Sequence, residues 1–188
     1  MGAIQPVLPV KLLIGNLTGF PELEGRIAED LACRFGPVDL LSPVLEFSYT
    51  DYYREQMGPA LRRTFFSFDR LIHPNDLAGI KNLCNRLEVE YSSGEFPVMR
   101  PVNLDPGYME MGKLVLASTK NHSHRIYLGE GIYAEVTLVY RGKKFQGLEW
   151  TYPDYRSQEY HGFFQKVRDR YHAQLLDGGL LGGRSRSL

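Results

Sequence analysis

Apolar side chains recur along this chain with two spacings, and the switches between them lay out most of the elements. VKLLIGNL, residues 10–17, has strand length and composition. It leads through Gly19 into PELEGRIAEDLACRFGP, where Leu23, Ile27, Leu31 and Phe35 repeat every four residues behind Pro21 and stop at Gly36 and Pro37. That spacing stacks four side chains on one face and predicts an amphipathic helix. A strand is expected around residues 41–49, then an aromatic loop, YTDYYREQMG, and a strand over 63–72. Leu77, Ile80, Cys84, Leu87 and Tyr91 mark one face of a second helix, ended by Gly94, with a further strand around 98–104. Strand, helix, strand, strand, helix, strand is the order of ferredoxin-like domains.

The second half reads mostly as β. KLVLAST, HRIYL, IYAEVTLVY and FQGLEWTY are expected as strands, before a last helix that buries Tyr160, Phe164, Val167, Tyr171 and Leu175. The fold class is therefore α+β: a ferredoxin-like βαββαβ first half, an antiparallel hairpin region and a C-terminal helix. A chain of 188 residues fits one domain, expected over 1–176. DGGLLGGRSRSL, residues 177–188, has too little side-chain mass to offset ordering and is read as a flexible tail.

The polar residues concentrate in LASTKNHSHRIYLGEGIYAE, residues 116–135. Gly129-Glu130-Gly131 is a three-residue connection with glycine for the left-handed position, so HRIYL and IYAEVTLVY predict a hairpin in which Leu128 faces Ile132 and Arg125 faces Glu135. Strand alternation then sorts the side chains. Ile126, Leu128, Ile132, Ala134, Val136 and Leu138 share an apolar face read as core, and His124 falls with them. Ser123, Arg125, Tyr127, Tyr133, Glu135 and Thr137 share the other. That face is either solvated, with Arg125 and Glu135 a cross-strand pair contributing about 0.2–1 kcal/mol, or a site. For a site speak the flat amphipathic surfaces of two tyrosines and an arginine, and a loop that brings Lys120, His122 and His124 to the same end. His122 and His124 without a third placed ligand do not make a metal site, and none is expected. Asp105 lies in Leu-Asp-Pro-Gly, ordinary turn chemistry or else a carboxylate at a strand end that holds a ligand. YTDYYR and TYPDYR echo each other, each an aspartate among tyrosines after a strand.

Composition narrows the partners. Twenty-two basic and twenty-two acidic residues cancel, which removes the long-range field of a nonspecific nucleic-acid or membrane binder. Aromatics reach 12%, yet the signature of RNA-recognition modules is missing. Cys33 and Cys84 are too few for a disulfide framework, so a reducing, cytoplasmic setting is expected. The first residues form no secretion signal or membrane span, and Pro6 stands where acylation at Gly2 needs Ser or Thr. The familiar phosphate-loop, dinucleotide, nucleophile-elbow and zinc-helix motifs are all absent, so a nucleotide site would have to be built from side chains on a sheet.

PVKLLIGNL, FSYTDYYREQMG, FFSFDRLIHPNDLAGIKN, NLDPGY, KLVLASTKNHSHRIYLGEGIYAEVTLVY and EWTYPDYRS follow one another in unbroken order from Pro9 to Tyr171. Together they resemble the bacterial family catalogued as domain of unknown function 4416. The resemblance implies that these blocks form one domain. His124-Arg125-Ile126-Tyr127 matches the family's pattern and His122 departs from it. Members often carry a "GTP-binding protein" label, whereas Asp105-Pro106-Gly107 is one residue too short for the D-x-x-G element of GTPases.

The expectation is a cytoplasmic protein that binds a small anionic ligand, a nucleotide or phosphorylated metabolite, on the face bearing Arg125, Tyr127, Tyr133 and Glu135, with Lys120 and Asp105 at its edge. In an enzyme, Glu135 or His124 would be the general acid or base, positioned by Arg125. No cofactor is identified. The alternative is a non-enzymatic module whose tyrosine-rich loops, residues 49–53 and 151–155, dock a protein partner.

Overall fold

Every residue of the first strand, β1 (Val10–Thr18), is buried. Successive strand side chains point to opposite faces, so both faces of the sheet around β1 must be covered. The computed structural model, which describes residues 2–50 and 53–181, shows how. The remaining strands are β2 (Val38–Leu41), β3 (Leu45–Glu46), β4 (Arg62–Ile72), β5 (Val102–Met109), β6 (Lys113–Ser118), β7 (Ile126–Gly129), β8 (Ile132–Arg141) and β9 (Lys144–Gly147). Among the described residues these nine form one antiparallel sheet in the order β2-β4-β1-β5-β6-β8-β7, with β3 against β4 and β9 against β8. The class is α+β.

Helices cover both faces. Leu12, Ile14, Phe66, Phe68, Val102 and Leu104 meet α1 (Glu24–Phe35) and α3 (Leu77–Ser92), whose buried stripes include the positions expected from their spacing. The other face carries Leu13, Phe65, Met109, Leu114, Leu116 and Leu138 and meets Tyr160, Phe163, Phe164 and Val167 of α4 (Gln158–Asp177). The aromatic loop contains one helical turn, α2 (Arg54–Met57). Ser157 caps α4 by accepting from the Tyr160 N–H. At its far end Lys11, Asp39, Arg170 and Gln174 tie α4 to the sheet through charge-assisted hydrogen bonds. No helix among the described residues is long and apolar enough to cross a membrane. Residues 182–188 of the expected tail lie outside the described residues.

Three local expectations change. Asp105-Pro106-Gly107 is no turn: β5 runs straight through it, because β1 offers a partner from Lys11 opposite Met109 to Thr18 opposite Val102. The strand expected to reach Tyr152 ends at Gly147, where the Thr151 hydroxyl bonds Thr137 O and the Arg156 guanidinium bonds Leu148 O and Glu149 O. In the hairpin, Ile126 and Tyr127 face Ala134 and Tyr133 as expected, then the register shifts so that Gly129 faces Ile132. Ile126 and Leu128 are exposed rather than core, since β7 is an edge strand and the cover from α3 extends across the sheet no farther than β8. Leu138 packs on the α4 side, opposite Val136, because the β6–β8 register skips Thr137 and forms a bulge.

Gly107 is where β5 first meets β6, opposite Leu116. A Cβ there would stand 2.3 Å from the Val115 carbonyl oxygen, whereas one at Gly112 meets nothing within 4 Å. Gly107→Ala is expected to destabilise the fold by about 1–3 kcal/mol or more and Gly112→Ala by less than about 0.5 kcal/mol, measured from urea denaturation midpoints.

Candidate functional site

β5 and β6 pair only from Gly107–Leu116 to Met109–Leu114. Beyond Gly107, β5 keeps to β1 while β6 follows β8 out to Ser118, so the two strands part. Backbone groups left without a neighbour strand need other partners. Two side chains of α3 supply them at Leu104: the Lys81 ammonium donates to its carbonyl at 2.7 Å, and its N–H donates to the Glu88 carboxylate at 2.8 Å. Residues seven apart sit two turns along one helix face, which lets one helix serve both groups.

The parting opens, on the α4 side, into a cavity of about 560 Å³, a size usual for small-molecule sites. Its floor is an ion-pair network. Arg63 on β4 reaches across β1 to Asp105 on β5, and the residue it crosses is Gly15, whose added Cβ would lie 3.2 Å from the guanidinium and 3.1 Å from the Phe65 ring. Arg63 Nη1 donates to Asp105 Oδ2 at 3.0 Å, Asn103 Nδ2 donates to the same oxygen at 2.7 Å, and Lys81 Nζ stands 4.0 Å from Oδ1. Arg100 donates to Glu88 at 2.7 Å and to the Asn103 side-chain oxygen. On the other side of Arg63, Asp154 Oδ2 lies 3.7 Å from Nη2.

Burial opposes ionisation of both carboxyls, with different results. At Asp105 it is overcome by the charges of Arg63, Lys81 and Arg100 and by the Arg63 hydrogen bond, which hold the carboxyl below its ordinary range. At Asp154 burial prevails over Arg63, the Asp105 charge adds to it, and the carboxyl is pushed up. Two acids pushed apart around one cation are what proton-transfer sites use. Burial also raises the Tyr53 and Tyr155 hydroxyls, which stay protonated. It pushes the Cys84 thiol up to about 12, so that thiol is no nucleophile.

The wall is built by Arg125. Its Nε donates to Glu135 Oε2 at 2.7 Å, Nη1 to Ser118 Oγ at 2.7 Å and Lys120 O at 2.9 Å, and Nη2 to the Tyr152 hydroxyl at 2.7 Å. Four of its five N–H donors are thus spent on fastening β6, the following loop, β8 and the 152–155 turn to one another. Glu135 Oε1 accepts from Thr137, and Oε2 lies 3.2 Å from His124 Nε2. The His124 ring stacks on Trp150 at 5.1 Å.

Of the residues singled out by sequence, the fold brings Asp105, Lys120, Arg125 and Glu135 to the cavity. His124 reaches Glu135 from outside it and does not face the core, because β7 begins only at Ile126 and the preceding loop is free of strand alternation. Tyr127 and Tyr133 pack on each other at 5.2 Å beside the cavity rather than in it. Both tyrosine-rich loops frame the mouth through Tyr49, Thr50, Tyr53, Tyr152, Asp154 and Tyr155. Sequence reading missed Arg63, Lys81, Arg100 and Asn103. Lys81 and Glu88 were visible as charged residues on the stripe of Leu77, Cys84 and Tyr91, at offsets of four, seven, eleven and fourteen. Arg63 shares strand parity with the buried Phe65. Among the described residues no group of three His, Cys, Asp or Glu side chains could hold a metal ion.

The two aspartates predict opposite pH responses. Asp105, lowered in the folded state, contributes stability above the unfolded value of about 3.9, lost as pH falls through its folded value. Asp154, raised, contributes stability below that value, lost as pH rises through its folded value. Asp105→Asn is therefore expected to lower the denaturation midpoint at neutral pH, with the gap closing in acid. Asp154→Asn is expected to match or exceed the wild type at neutral pH and to lose any advantage towards pH 4. Parallel pH profiles for the two variants would contradict this. Arg125→Ala leaves Glu135 buried without its partner and is expected to cost about 3–5 kcal/mol, read by the same denaturation.

The family model described as Domain of unknown function (DUF4416) matches residues 8–171. No curated protein and no solved structure matches the chain. With the whole sheet, the cavity and all but the end of α4 inside the matched segment, the chain belongs to the family of domain of unknown function 4416.

Proposed function

We propose that the cavity binds a small anionic ligand, a nucleotide or another phosphorylated metabolite. The observation that carries this reading is Arg63. Its side chain is 3% exposed, it lines the cavity, and among the described residues it spends one hydrogen bond, on Asp105, while Nε has no partner. A buried guanidinium with unmet donors, opening into a cavity, suits an oxyanion from outside. Among the described residues, five cationic side chains line the cavity (Arg63, Lys81, Arg100, Lys120, Arg125) against three carboxylates (Asp105, Glu135, Asp154), which supports a negatively charged ligand. The framing tyrosines offer flat surfaces for a ring or sugar. The cysteines, Cys33 and Cys84, are both free, which supports a reducing, cytoplasmic setting.

The alternative, a protein-docking surface on the tyrosine-rich loops, has less behind it. Tyr155 is 3% exposed and turns inward, and Tyr53 lines the cavity. A thermal-denaturation panel of nucleotides, sugar phosphates and carboxylates tests the two readings. At least one anionic ligand is expected to stabilise the wild type, by about 2.7 kcal/mol at a hundred times its Kd. Arg63→Lys keeps the charge but loses the planar fork, and is expected to lose that response while its circular dichroism stays native. No shift with any anion, or a shift unchanged in Arg63→Lys, would overturn the proposal.

A further inference from the structure

We propose that the ligand's head group is a phosphoryl group, seated in an inner subsite made by the free edge of Arg63 with the hydroxyls of Tyr155 and Tyr160, and that Asp154 selects phosphate over sulfate there. This rests on the anionic-ligand reading above and names the head group it would recognise.

Three buried polar atoms lack any hydrogen-bond partner in one small region: Arg63 Nε, the Tyr155 hydroxyl and the Tyr160 hydroxyl. Orphans of this kind are rare in folded proteins and each is costly, so three together point to a missing common partner. Their side chains converge. The Tyr155 and Tyr160 rings meet edge to face at 5.7 Å, and both pack on Phe65, at 5.8 and 4.8 Å. Phe65 shares its strand face with Arg63, whose guanidinium carbon lies 5.8 Å from the same ring. Arg63, Asp154 and Tyr155 line the cavity, while Tyr160, fully buried on α4, packs against Tyr155 behind that lining.

All three orphans are hydrogen-bond donors. Burial raises both tyrosine hydroxyls against the opposing pull of Arg63, so they remain O–H groups. Arg63 has committed Nη1 to Asp105, and Nε with Nη2 is the pair of parallel donors that grips two oxygens of one oxyanion. A water molecule could meet the two hydroxyls but would leave the guanidinium charge without an anion beyond Asp105 and Asp154. Donors of this number and charge are what a phosphoryl oxygen set accepts.

Selectivity follows from Asp154, 3.7 Å from Nη2. Inorganic phosphate carries a proton at neutral pH and can donate it in a hydrogen bond to a carboxylate, and a monoester, with a second pKa of about 6, needs to take up only one proton to do the same beside Asp154. Sulfate has none, and meets an ionised Asp154 only with repulsion. Asp105, across Arg63, adds to that repulsion.

Isothermal titration with inorganic phosphate and with sulfate near pH 7 tests the subsite. Phosphate is expected to bind about tenfold tighter than sulfate, the worth of one charged hydrogen bond. Asp154→Asn is expected to reduce that ratio to about twofold. Tyr155→Phe and Tyr160→Phe are each expected to weaken phosphate binding several-fold while leaving the ligand-free protein as stable as the wild type or more so, since each removes an orphan. Equal affinity for the two anions in the wild type, or phosphate affinity unchanged in both Phe variants, would overturn the subsite. If neither ion binds but a carboxylate ligand stabilises the protein in an Arg63-dependent way, the subsite falls and the anionic-ligand reading stands. If no anion binds, both fall.

Discussion

The parting of β5 from β6 is the constraint on which the rest of the site depends. A continuous sheet would leave no room between Asp105 and Ser118. The split exposes backbone groups that must be paired, and α3 pairs those of Leu104 with Lys81 and Glu88. Those charges then need partners of their own: Arg100 for Glu88, and Asp105 near Lys81. A backbone requirement thus becomes a charged cavity floor, and Gly107, tight against Val115, marks where the split begins.

The two buried arginines illustrate how hydrogen-bond accounting separates roles that composition cannot. Arg125 is almost fully engaged and joins four segments of chain. It is a brace, and the conspicuous Arg125–Glu135 pair belongs to the wall. Arg63 is just as buried, yet its Nε has no partner. Gly15 leaves the lane by which it crosses β1, and the acids on its two sides differ because one has several cations around it and the other mainly burial.

Stability and site are coupled through α4. Its aromatic face fills the second core, and the same helix packs Tyr160 against Tyr155 of the cavity lining. The Lys11–Asp39–Arg170–Gln174 cluster ties its far end to the sheet. The Thr151 and Arg156 side chains hold the turn before it, and that turn carries Tyr152, Asp154 and Tyr155. Side-chain bonds to backbone carbonyls replace strand pairing there, which is why apolar alternation did not foresee the end of β9.

By itself the sequence determined the three long helices and most of the strands, because Leu23, Ile27, Leu31 and Phe35, or Tyr160, Phe164, Val167 and Tyr171, repeat with a period that only one local geometry buries. It also determined the Arg125–Glu135 pairing, since a short glycine-bounded connection sets the hairpin register around Tyr127 and Tyr133. Tertiary structure alone decided where the cavity lies. Asp105 looked like a turn residue until β1 drew it into a strand, and His124 looked like core until a loop freed it from strand alternation. Arg63, Lys81, Asp105 and Asp154 are brought together from β4, α3, β5 and the turn before α4. Charges so far apart along a chain have no shared period, and only the burial of both sheet faces forces them into one place.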